Sequence, residues 1–369
     1  GILSIVASVF AVFAPFSGFG SQQSLLRFGS VTFDDNEKKS LSKYLLMKGF
    51  FYQLLLSVLF LVVSLFYITR YEDIFYIFLL FAVRLVGFYF LNHIQSEFRI
   101  FGNNRGFARI TNVVNILGVS LLLLLSYLFG LKGYLIAIAF TPFLALFWFK
   151  KEHYVSIAES FSFSKKEIFS YGLHASGTAL LSDALFSADV LMISFLMNET
   201  SVANYTVAIL IPANITFLAL TFMQSDFPVL AKNFKNKRFL QDYIANYYKI
   251  FLPVSLLIFM VGFWFKTEIL EVFFTGKYAD NSSVFIILLG GFCMNMLLRN
   301  LYGNLLSAVG KMKVNTLVSF LTLLLLVLFS AFLVTKFGVI GMAMSLSLSM
   351  TLGGLLLMYS FLLYLKDLK

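Results

Sequence analysis

The chain opens Gly1-Ile-Leu-Ser-Ile-Val-Ala-Ser-Val-Phe10-Ala-Val-Phe-Ala-Pro15-Phe-Ser-Gly18-Phe-Gly20-Ser-Gln22-Gln23-Ser-Leu-Leu-Arg27-Phe-Gly-Ser30. An apolar run crosses Pro15, turns small and polar, and ends at a cation. Two readings compete: the apolar core of a signal peptide, or a membrane helix with a polar inner end. A signal peptide begins with a basic region and ends at a small-residue cleavage site. This stretch has no basic start, and a second apolar run follows within twenty residues. It therefore reads as a spanning helix whose polar end faces a cavity.

The composition agrees. Hydrophobic residues make up 60% of the 369 and charged residues 12%, with a mean hydropathy of +0.88. A soluble domain carries about 25% charge, so the chain is an integral membrane protein with an all-α, polytopic fold. The net charge of +10 then reflects basic loops beside anionic lipid, and no nucleic-acid partner is expected. The single cysteine, Cys293, lies in an apolar run and reads as a small buried hydrophobe. That leaves no internal disulfide and no cysteine metal cluster.

A spanning helix needs about 20 mostly apolar residues. The first six segments that qualify are Gly1–Phe28, Tyr44–Ile68, Ile74–Ser96, Phe107–Phe129, Gly133–Phe149 and Ile168–Met197. Five more follow: Ser201–Leu230, Tyr243–Phe265, Ser282–Leu306, Val314–Val334 and Val339–Leu365. Every connection is short, so function is expected inside the helical bundle. The loops after segments one, three, five, seven and nine, with the C-terminal tail, hold nineteen Lys and Arg. The alternate loops hold five: Arg70, Lys132, Lys266, Lys277 and Lys336. The positive-inside rule puts the first set and the C-terminus in the cytoplasm. Gly1 would then lie outside, so an earlier helix is expected upstream and the whole would hold twelve.

Phe129-Gly130-Leu-Lys-Gly133 opens the fifth segment and Phe337-Gly338-Val-Ile-Gly341 the last. Each follows a Leu-rich helix. The echo predicts two parallel six-helix lobes, an arrangement common in transporters. The expected boundaries are 1–150 for the first lobe, 151–164 for a cytoplasmic linker and 165–369 for the second.

Ionisable residues at membrane depth usually face a cavity or a partner. At 100° per residue, Asn92, Gln95 and Arg99 fall about 80°, 20° and 60° from Arg84, forming one polar stripe. His93 lies opposite and Glu97 off the stripe, where either could mark an interface. An internal ion pair is the alternative role for Arg84. The sixth segment carries Asp183 and Asp189, pointing about 120° apart; one could line a cavity while the other pairs with a base. The ninth spreads Asn295, Arg299, Asn300 and Ser307 over a broad arc, and Pro212 interrupts the seventh. A pathway holding Arg84, Arg299 and Arg27 would be cationic, and the planar fork of arginine suits phosphate or pyrophosphate. Enzyme chemistry finds little support. The three histidines form no metal-protease motif, and Leu305 stands where a phosphate loop ending at Gly310-Lys311 needs its first glycine.

The run from Ala14-Pro15 through Gly18, Gly20 and Arg27 to Gly29 resembles the second helix of bacterial polysaccharide transporters. These are the O-antigen and capsule-repeat flippases of the multidrug/oligosaccharidyl-lipid/polysaccharide exporter superfamily. Ser187-Ala188-Asp189, Val202-Ala-Asn-Tyr205 and Phe274-Thr-Gly276-Lys-Tyr278 are similar to further stretches of that family. Val190 departs from it, since a basic residue often follows the aspartate there. The resemblance implies two six-helix lobes with the absent helix first, in a multi-pass protein of the bacterial inner membrane. It also implies export of a polyprenyl-pyrophosphate-linked oligosaccharide, with the polysaccharide polymerase and chain-length machinery as further partners. Arg27, Arg84 and Arg299 are the residues expected at the pyrophosphate, with Gln22, Asn92, Gln95 and Asn295 near it or the sugars. No cofactor and no metal are expected. Transport would be coupled to H⁺, Na⁺ or the membrane potential, with Asp183 and Asp189 the candidate coupling acids. Three rivals remain: a drug or cation exporter of the same superfamily, a membrane polysaccharide polymerase or glycosyltransferase, and a structural scaffold.

Overall fold

A computed structural model describes residues 2–68, 73–154, 161–274 and 281–368. Arg70, Lys277, Lys369, part of the 151–164 linker and the Gly276–Tyr278 part of the resemblance lie outside the described residues. Those described form helices and turns, with no strand among them. The helices are α1 (Ile2–Phe13), α2 (Ser21–Val31), α3 (Asp35–Ser64), α4 (Ile74–Ile100), α5 (Asn104–Phe140) and α6 (Lys165–Leu196), then α7 (Glu199–Asn214), α8 (Phe217–Lys232) and α9 (Lys237–Trp264). The chain continues with α10 (Lys266–Phe274), α11 (Ser282–Met294), α12 (Leu301–Ala308) and α13 (Met312–Asp367).

Short polar side chains start several of these helices. Asp34, Asn103, Asn198 and Asn236 each accept a hydrogen bond from the backbone N–H three residues on, at 2.8–3.0 Å. Each such cap stabilises its helix by about 1 kcal/mol. Nine apolar stretches among the described residues are long enough to cross a membrane. Two of them cannot be single crossings. The 56 residues of α13 would run about 84 Å at 1.5 Å per residue, against a hydrocarbon core of about 30 Å. The chain turns back at Gly338 (φ 57°, ψ −133°), and α5 does the same at Gly130 (φ 58°, ψ −136°). A left-handed φ with that ψ is glycine territory. Three residues on, a Cβ at Gly133 would overlap the carbonyl of Leu125, and one at Gly341 the carbonyl of Leu333. The two Phe-Gly-x-x-Gly echoes are therefore the same tight turn made twice, and each divides a stretch too long for one crossing into two.

The packing divides into two compact units, Gly1–Leu180 and Leu181–Lys369. The division falls inside α6, beyond the 151–164 linker read from the sequence. The reason is local, because the first half of α6 packs on α2. Ser24 Oγ donates to the Ile168 carbonyl at 2.8 Å, and the Phe28 ring packs tilted on Phe163, just before α6, and edge-on to Tyr171. Gly20 approaches Gly172 so closely that a Cβ would meet its carbonyl. The core of unit 1 centres on α4, where Phe78, Leu85 and Tyr89 are fully buried. Unit 2 centres on α11 and the second half of α13, through Phe285, Phe292, Leu346 and Met350.

A broken helix in each unit

The opening stretch is one of the apolar spans, Ile5–Val31, but it is not one straight helix. Between α1 and α2, Ala14–Gly20 form a 3-10 turn, and Ser17, Gly18 and Phe19 leave helical geometry altogether. Pro15 removes a donor, and the glycines permit the left-handed backbone that follows. At membrane depth the freed polar groups need partners. Gln53 of α3, fully buried, supplies them. Its Oε1 accepts from Ser17 Oγ at 2.9 Å and from the Gly18 N–H at 3.1 Å, while its Nε2 donates to Ser57 at 3.1 Å.

Unit 2 repeats the device by other means. Asn295–Asn300 form a π-helical turn between α11 and α12. π-Turns recur at functional sites because the extra residue re-aims side chains and leaves carbonyls to be satisfied elsewhere. Tyr247 and Tyr248 of α9 donate to the Met296 and Leu297 carbonyls at 2.8 and 3.1 Å. Gly354 of α13 allows backbone to lie against Leu298 and Arg299. The turn presents Arg299, Asn300 and Asn304 half-buried, with Asn295 buried beside them. Arg299 Nη2 donates to Ser182 Oγ at 2.9 Å. Asn295 Oδ1, Asn300 Nδ2 and Asn304 Nδ2 have no hydrogen-bond partner among the described residues. A forked cation beside unused amide donors and acceptors suits an anionic, hydroxyl-rich ligand.

In unit 1 the α4 stripe is half-buried along its length: Arg84, Asn92, Gln95 and Arg99. The Arg84 guanidinium lies 5.2 Å from the Phe10 and Phe88 ring centroids and 5.9 Å from that of Phe81. Such cation–π contacts hold an arginine without neutralising it. Gln95 Nε2 donates to Thr111 at 3.0 Å, and Arg99 lies 5.3 Å over Phe107. Gln22 is half-buried in α2, and its Oε1 has no hydrogen-bond partner among the described residues, while Arg27 is buried at 6% exposure in the face of α2 that packs on neighbouring helices. Of the expected site residues, unit 1 thus holds Arg27, Gln22 and the α4 group, and unit 2 holds Arg299 and Asn295.

The two aspartates differ. Asp189 is fully buried and accepts from the Tyr205 hydroxyl at 2.8 Å and the Val190 N–H at 2.7 Å, so its partner is a phenol rather than a base. Asp183 is exposed in unit 2. His93 and Glu97 are buried. His93 Nε2 lies 3.2 Å from both Ser42 Oγ and Tyr154 Oη, and Glu97 pairs with His153 at 2.7 Å and accepts from Tyr154 at 3.0 Å. Burial and the adjacent Glu97 push the Tyr154 phenol above its ordinary pKa. This network fastens the chain after α5 onto α3 and α4.

Sequence reasoning did not place Ser182, Asn300 or Asn304 at a site, although all three are polar residues within apolar helices. The missing signal was the π-turn, since 3.6-residue spacing spreads Asn295, Arg299, Asn300 and Asn304 too widely to suggest one patch.

No protein-family model matches the chain. A putative O-antigen transporter of Shigella flexneri is 26% identical over 198 residues, covering 53% of this chain and 46% of that protein. The match thus spans less than half of that relative. Among solved structures, the Vibrio cholerae MATE transporter VcmN in its bent form superposes with a TM-score of 0.75. That alignment covers 99% of this chain and 87% of VcmN at 16% identity. An outward-facing multidrug resistance MATE family transporter of the MOP superfamily gives 0.71, over 100% and 87% at 18% identity. The chain has the all-helical, multi-pass membrane fold of these transporters.

Proposed function

We propose that this protein is a transporter that carries a polyprenyl-pyrophosphate-linked oligosaccharide across a bacterial cytoplasmic membrane by alternating access. One observation carries the reading. Arg84 and Arg299 are half-buried cations, and among the described residues neither has a carboxylate within ion-pair distance. An arginine kept for structure alone would be paired, because an unpaired charge in a helical bundle costs several kcal/mol. Aromatic rings hold Arg84 and a serine hydroxyl holds Arg299, so both guanidinium forks retain donors for a ligand's phosphates. The amides of Asn295, Asn300 and Asn304 suit sugar hydroxyls, and the Shigella relative is described as an O-antigen transporter.

In this reading the basic loops and the C-terminus face the cytoplasm, and Gln22, Asn92 and Gln95 line the route in unit 1, while Arg27 is packed among neighbouring helices. Exposed Asp183 is the better candidate for ion coupling, since Asp189 is committed to Tyr205. The second reading is a drug or cation exporter. It is favoured by the multidrug description of a structural neighbour and by the exposed carboxylate of Asp183. The test is complementation of a flippase-deficient strain. The Arg84→Ala/Arg299→Ala double variant should reach the membrane at normal abundance and fail to restore surface polysaccharide. Normal export by that variant defeats the proposed site.

A further inference from the structure

Unit 1 contains a cavity of about 260 Å³ where α3 passes both the break at Gly18–Gly20 and the start of α6. Lys48 of α3 and Lys165 and Lys166 of α6 line it, all three exposed. Tyr44, Lys48 and Tyr52 recur every four residues, so they share one face of α3. The rings of Phe19, Tyr52 and Phe169 pack within 5.3–6.4 Å of one another and form an apolar wall. Lys165 Nζ sits 5.2 Å over the Tyr44 ring.

Lys165 and Lys166 occupy the first turn of α6 together with Glu167. Lys48 of the facing helix brings a third ammonium group to the same cavity. Ammonium groups set around a cavity with an aromatic wall suit an anion that carries an apolar tail. The same composition, lysine heads with tyrosine rings, marks the membrane–water interface. Basic pockets between spanning helices there take acidic lipid headgroups.

We infer that this cavity binds the phosphate of an acidic membrane phospholipid. The phosphate sits among Lys48, Lys165 and Lys166 at the start of α6, and the glycerol and first methylenes lie on Phe19, Tyr52 and Phe169. The bound lipid braces the break between α1 and α2 against the first half of α6, adding to the Ser24–Ile168 hydrogen bond and the Gly20–Gly172 approach. The site is separate from the arginines of the transport reading and does not depend on it.

The full chain, reconstituted in phosphatidylcholine vesicles, is titrated with fluorescent phosphatidylglycerol. The wild type should bind it in preference to fluorescent phosphatidylcholine. Lys48→Gln/Lys165→Gln/Lys166→Gln should weaken it by about a hundredfold, or about fivefold per lysine. The arginine triple Lys48→Arg/Lys165→Arg/Lys166→Arg should bind as the wild type does, which shows that the glutamine triple loses charge rather than fold. Lys311→Gln/Lys313→Gln/Lys366→Gln removes the same charge elsewhere and should leave binding unchanged. Wild-type binding by the first triple, or an equal loss in the last, overturns the proposal. So does inorganic phosphate binding that depends on the same lysines and displaces the lipid, because it assigns the site to a free anion.

Discussion

Arg299→Gln removes a full charge from the π-helical turn while leaving a side chain that can still bond Ser182. In the wild type one N–H of the fork is used, at 2.9 Å from Ser182 Oγ, and no described carboxylate neutralises the group. A guanidinium–phosphate fork consists of two charge-assisted hydrogen bonds, each worth about 1.5–3 kcal/mol. Glutamine retains about half of that as a neutral donor, so the expected loss is about 1.5–3 kcal/mol. At 1.4 kcal/mol per decade this is a weakening of about 12- to 140-fold. Stability should move the other way. A half-buried cation without a counter-ion among the described residues destabilises the fold, so its removal should leave the unfolding midpoint unchanged or raise it. The assay is paired: titration of purified protein with a polyprenyl-pyrophosphate oligosaccharide, and thermal unfolding in the same detergent. A variant that unfolds several degrees lower yet binds within threefold of wild type refutes the reasoning, since it marks Arg299 as a structural residue.

Gln53→Leu strands Ser17 Oγ and the Gly18 N–H in an apolar setting, and should cost about 2–4 kcal/mol, read as a lowered unfolding midpoint in detergent. Gly130→Ala and Gly338→Ala should each cost about 1–3 kcal/mol from backbone strain. Among the described residues a Cβ meets nothing within 4 Å at Gly130 and only the Met197 methyl, at 3.3 Å, at Gly338. Similar losses in the two variants would support the internal repeat, and a neutral alanine at either would argue against the strained turn.

Much of the fold was legible because lipid imposes a simple rule: apolar length predicts crossings. The Phe-Gly-x-x-Gly echo was readable because both turns need the same backbone that glycine alone adopts easily. The breaks were harder. Pro15 with Gly18 and Gly20 hinted at the first, but nothing local announces the π-turn at Asn295–Asn300, whose stability comes from tyrosines some fifty residues away. The α4 stripe stood out because charge on an apolar helix is conspicuous. Lys48 did not, because it falls inside an expected span and its partners Lys165 and Lys166 looked like ordinary loop charges. Asp189 carried the opposite trap, a deep acid whose buried phenol partner is invisible in sequence spacing.

The central claim is that the half-buried arginines serve an anionic lipid-linked sugar. Its most direct test is flipping in proteoliposomes loaded with a fluorescent polyprenyl-pyrophosphate oligosaccharide, scored by the fraction of label that becomes accessible to a membrane-impermeant quencher. The wild type should expose the inner-leaflet label, and Arg84→Ala/Arg299→Ala should do so at least tenfold more slowly. A wild type that leaves the lipid-linked sugar in place while extruding a cationic dye from the same vesicles would contradict the account and point to a drug exporter.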